Sequence, residues 1–147
     1  MEVVDLAQES SWQNQMKGEA NWFYWIAGLS FINAAILYFG INWNFFLGMG
    51  ITHVINGELS RSDASGILAL VVNTLIAAVV AAFGYFANRG QIWAFAVGFV
   101  LYFLDTFLLL YSRDFLGIVF HAIALYFLFR GLLFCRRVQL EAALDRN

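Results

Sequence analysis

Four long apolar stretches with no proline anywhere in the chain set the strongest limit on what this sequence can fold into. Asn21 to Gly40, Gly66 to Phe86, Ile92 to Ser112 and Phe115 to Cys135 each hold the roughly 20 residues that a helix needs to cross a hydrocarbon core ~30 Å thick. Without proline there is no built-in kink or forced break, so the spans are expected to be fairly straight helices. The expected fold class is an all-α integral membrane protein: an antiparallel bundle of four transmembrane helices forming a single domain over residues 1–147.

Composition supports that class and excludes others. The chain of 147 residues is 62% hydrophobic and 12% charged, against about 45–50% and 25% in soluble domains, so a soluble fold of this size would lack polar groups to cover its surface. Eight basic and ten acidic residues give a formal net charge of -2, leaving no basic excess to neutralise a phosphate backbone, and nucleic acid is not an expected partner. The expected surroundings are the lipid bilayer, with a homo-oligomer or a larger membrane complex as protein partners. The one cysteine, Cys135, excludes an internal disulfide and a Cys-x-x-Cys centre.

Between the first two runs, residues 44–57 include the apolar stretch FFLGMGITHVI, which is too short to span and contains Gly48 and Gly50. Such segments are re-entrant or lie in the interface, and an irregular backbone at membrane depth must be shielded by protein or face water. Residues 1–20 are polar and acidic, the wrong charge for the start of a signal peptide, and read as a polar amino-terminal tail. Residues 136–147 form a short polar tail able to continue the last helix.

Basic residues around the spans give an orientation. Lys17, Arg89, Arg130, Arg136, Arg137 and Arg146 fall on one side of a four-span chain, and Arg61 and Arg113 on the other. Both termini are therefore expected in the cytoplasm. The stretches ANWFYWIAGLSFINAAI and FHAIALYFLFRGL resemble those of small bacterial inner-membrane proteins; the resemblance implies that location and carries no activity.

Deep in the spans the polar residues that stand out are Ser30 and Asn33 in the first, Asn73 and Thr74 in the second, Asp105 and Thr106 in the third, and His121 in the fourth. Charged groups at this depth cost several kcal/mol unless paired or hydrated, and so face the bundle interior. Asp105 lies seven residues before Ser112, and His121 seven after Asp114, which places both ~10 Å below one end of the hairpin that joins their helices. The same count places Asn33 and Asn73 at that depth. Each polar residue also falls on a stripe of small residues, such as Ala69, Asn73, Ala77 and Gly84, or Gly117, His121, Ala124 and Gly131, the face through which membrane helices pack.

The candidate site is therefore a polar layer of Asp105, His121, Asn33 and Asn73, with His53 joining it if the segment before the second span dips inward. A carboxylate bonded to an imidazole fixes the ring tautomer and raises its basicity, so the layer is expected to bind a proton, an ion or a small polar ligand. The structural alternative is that these groups only fix helix register, at about 0.6 kcal/mol per interhelical bond. Two further readings differ in class: an accessory subunit of a larger membrane complex, and a metal or haem protein with His53 and His121 as ligands and Asp105 beside them. No G-x-S-x-G elbow or H-E-x-x-H pair occurs. The sequence assigns no catalytic residue and specifies no cofactor.

Overall fold

The computed structural model of the protein describes residues 2–39, 51, 65–113 and 115–144. Among these residues there are four helices and no strand: α1 (Glu2–Tyr38), α2 (Ser65–Asn88), α3 (Ile92–Ser112) and α4 (Phe115–Leu144). Three of them, α2, α3 and α4, are long and apolar enough to cross a membrane, which makes the chain an integral membrane protein. Asn21, Ser30 and Asn33 dilute the apolar half of α1, and its first half carries Glu2, Asp5, Glu9, Lys17 and Glu19. His53 and, apart from Ile51, the segment expected to be re-entrant or interfacial lie outside the described residues.

The polar amino-terminal stretch is helical. Residues 2–20 are the first five turns of α1, continuous with the apolar residues after them. Proline is absent, and Met16, Glu19 and Ala20 are buried against the other helices, so the polar stretch has a packed face that holds it helical. At the opposite end, α4 continues through Arg136 and Arg137 to Leu144.

Short turns dictate the arrangement. Asn88 and Ile92 are separated by three residues, with Gly90 at φ +74°, a left-handed conformation that glycine adopts without penalty. Gly90 also ties the turn to α4: its carbonyl accepts hydrogen bonds from Cys135 Sγ at 3.2 Å and Gln139 Nε2 at 2.8 Å. At the other end Arg113, at φ 57°, caps α3 by donating its backbone N–H to the carbonyls of Leu109 and Leu110. α2, α3 and α4 therefore run alternately up and down. α1 lies antiparallel to both α2 and α4, with Met16 beside Gly90, Phe23 beside Gly84, and the Trp22 ring stacked on Phe127 at 4.5 Å.

The core is built from aromatic rings set against glycines. A Cβ added to Gly98 of α3 would collide with the Phe23 ring, and one added to Gly131 of α4 with the Phe95 ring. Phe23 and Phe95 are fully buried and lie 6.0 Å apart, ring centre to ring centre. Without a hydrophobic drive between helices inside lipid, such close approach is what holds a bundle together, and it fixes the height at which α1, α3 and α4 meet.

Candidate functional site

The small-residue stripe of α4 is its buried face: Gly117, His121, Ala124, Leu128, Gly131 and Cys135 recur every three or four residues and all are buried. His121 is thereby carried into the interior with no exposure at all. On α3 the face holding Ala94, Gly98 and Asp105 is likewise buried. The tight turn at Arg113 brings the two residues level, and His121 Nε2 lies 3.0 Å from Asp105 Oδ2, the contact expected from equal depth across the hairpin.

The second ring nitrogen determines the chemistry of this contact. His121 Nδ1 lies 2.9 Å from the carbonyl oxygen of Gly117, one turn earlier in α4. A carbonyl oxygen only accepts, so Nδ1 must carry a hydrogen. The Nε2 to Oδ2 contact then requires one further proton between the two atoms. Either Nε2 of an imidazolium donates to a carboxylate, or a carboxylic acid donates to Nε2 of a neutral ring. Both forms have no net charge, and removing the bridging proton leaves two lone pairs facing each other across 3.0 Å.

Two more groups fix it. Asp105 Oδ1 accepts the backbone N–H of Ile51 at 2.8 Å, so the segment between α1 and α2 reaches the carboxylate. The ring of Tyr102, one turn before Asp105 on α3, stacks on the imidazole with centroids 4.1 Å apart and planes at 8°. That face suits an imidazolium, whose positive charge lies against the aromatic quadrupole.

Asn33 and Asn73 are buried in the interior. The antiparallel register of α1 and α2 that sets Phe23 beside Gly84 also sets Asn33 level with Asn73. Nδ2 of Asn33 has no hydrogen-bond partner among the described residues. His53 lies outside them. Among the described residues no cluster of three His, Cys, Asp or Glu side chains is placed to hold a metal.

Sequence reasoning missed two partners. Tyr102 is three residues from Asp105 and so shares its face, a signal that spacing does carry, but its stacking on His121 depends on how α3 and α4 cross. The other is Glu19, whose Oε1 lies 3.4 Å from the guanidinium of Arg130. Burial holds the Glu19 carboxyl above its usual range against the pull of Arg130. Hydropathy gave no hint of this ion pair, because it joins two helices that sequence spacing cannot align.

No family model, curated protein or solved structure matches this chain. Its chemistry is therefore read from the geometry alone.

Breaking a buried pair by removing one partner costs ~3–5 kcal/mol, whereas apolar replacement of both is often near neutral. Asp105→Leu and His121→Leu should each lower the thermal unfolding midpoint of the detergent-solubilised protein substantially. The double variant should recover most of the loss. Equal, additive losses would mean that the two side chains act separately.

Proposed function

We propose that this protein is a small four-span membrane protein whose Asp105–His121 pair binds and releases one proton in the outer half of the bilayer. The observation that carries the reading is the hydrogen bond from His121 Nδ1 to Gly117, which makes the second contact, between Nε2 and Asp105 at 3.0 Å, depend on a single proton. Intramembrane carboxylates and imidazoles commonly mark proton relays and ion paths. Contact of the Ile51 N–H with Asp105 supports a segment between the first two spans that dips inward.

Competing ligands fit less well. Both nitrogens of His121 are engaged within the chain, so the ring presents no lone pair to a metal or haem iron unless one of these bonds breaks. An ion larger than a proton would have to displace Ile51 or His121 from the carboxylate.

α1 is taken as the fourth crossing, with Tyr24 and Trp25 exposed near its middle and Tyr38 and Phe39 at its end, positions suited to the two interfaces. With six basic residues on one side and two on the other, both termini lie in the cytoplasm of what we take to be a bacterial inner membrane. Reporter fusions at the two ends should both read cytoplasmic; opposite sides would overturn the four-span topology.

Proton binding is tested by stability against pH. Gain or loss of the one proton between Nε2 and Oδ2 changes this contact, so the wild-type melting temperature should change with pH. In Asp105→Asn the amide can donate to neutral His121 without a transferable proton, so this variant should fold and lose that dependence. Wild-type and variant profiles that coincide would contradict the proposal.

A further inference from the structure

The turn between α2 and α3 sits at a membrane boundary whichever way the chain is inserted, because it joins two helices long and apolar enough to cross, Ile67–Asn88 and Ile92–Tyr111. Tyr85 and Trp93 flank it, 46% and 45% exposed, and such rings settle where headgroups meet hydrocarbon. The turn is also held in place. Its Gly90 carbonyl accepts from Cys135 and Gln139 of α4, and Met16 of α1 packs beside the same glycine.

Those contacts leave the turn offering donors. Arg89 is exposed, with its guanidinium carbon 4.4 Å from the centre of the Tyr85 ring. A cation over a ring uses its charge and none of the five N–H donors of the guanidinium, and the Arg89 side chain makes no hydrogen bond or ion pair among the described residues. Gln91 is exposed too, and Trp93 Nε1, which can only donate, occupies its side-chain oxygen and leaves its amide N–H donors. Two more cations share this layer, Lys17 next to Met16 and Arg136 next to Cys135, both exposed and neither in an ion pair among the described residues. Of the acids, Glu19 is engaged by Arg130. Glu9 and Glu141 stand seven and six residues beyond Met16 and Cys135, ~10 Å farther along their helices.

We propose that this end of the bundle binds an anionic phospholipid, its phosphodiester held by Arg89 and Gln91 and its net charge favoured by Lys17 and Arg136. An arginine fork meets two phosphate oxygens at once. A zwitterionic headgroup presents the same phosphate, but its ammonium would stand among like charges. The occupant is a lipid rather than a soluble anion because the exposed side chains on the membrane side of the turn, Tyr85 on α2 and Trp93 and Val97 on α3, offer apolar surface to acyl chains. Basic groups clustered at a membrane boundary recognise headgroups in this way. The proposal goes beyond the proton reading and does not rest on it, since Arg89 lies at the end of the bundle opposite the Arg113 turn, beneath which Asp105 and His121 meet.

Binding is tested with the full-length protein in nanodiscs of equal parts phosphatidylglycerol and phosphatidylcholine, released intact into a native mass spectrometer. Wild type should retain phosphatidylglycerol at least about fivefold over phosphatidylcholine, the factor that one basic group near a membrane surface supplies. Arg89→Gln should remove most of that preference. Arg113→Gln, at an exposed arginine of the opposite turn, should leave it intact. Both positions are exposed, so neither substitution disturbs the buried core. Equal retention of the two lipids by wild type, an unchanged preference in Arg89→Gln, or equal losses in the two variants would each overturn the proposal. Displacement of phosphatidylglycerol by millimolar inorganic phosphate, at an ionic strength matched with chloride, would mean a site for soluble anions and overturn it as well.

Discussion

The 3.0 Å contact between His121 Nε2 and Asp105 Oδ2 is the constraint on which the rest of the site depends. The carbonyl of Gly117 fixes a hydrogen on Nδ1, the Ile51 N–H holds one carboxylate oxygen, and Tyr102 covers a face of the ring. With those three contacts in place the imidazole cannot turn its bare nitrogen elsewhere, so the remaining contact is made with the proton and opposed without it. Low local dielectric strengthens both sides of that balance: a satisfied buried network gains, and a half-satisfied one loses more than it would in water.

The bundle supplies the setting by making its helices approach closely. Gly98 and Gly131 leave room for the rings of Phe23 and Phe95, and the turn at Gly90 is tied to α4 through Cys135 and Gln139. This end of the molecule is locked by packing and by the Glu19–Arg130 pair. The polar pair sits nearer the other end, beneath the turn at Arg113 and beside a cleft that opens between α2 and α3.

Much of this was legible because helical spacing and short turns act locally. Seven residues on either side of the turn are enough to set Asp105 opposite His121, since a two-residue connection leaves no freedom to slip. The recurrence of Gly117, Ala124 and Gly131 around His121 identified the buried face of α4 for a similar reason. What escaped was whatever depends on how separate helices cross. The stacking of Tyr102 on His121 and the reach of Glu19 to Arg130 need a relative rotation that no single helix encodes. The same holds at the amino terminus, where the buried stripe of Met16, Glu19 and Ala20 on α1 follows from its packing against other helices.

The most direct test of the central claim is nitrogen NMR of histidine-labelled protein in lipid bilayers near neutral pH. Nδ1 of His121 should be protonated, and a far-downfield proton signal should link Nε2 to the Asp105 carboxyl and vanish in Asp105→Asn. A His121 ring with a bare Nδ1, or an Nε2 with no bridging proton to Asp105, would contradict the account.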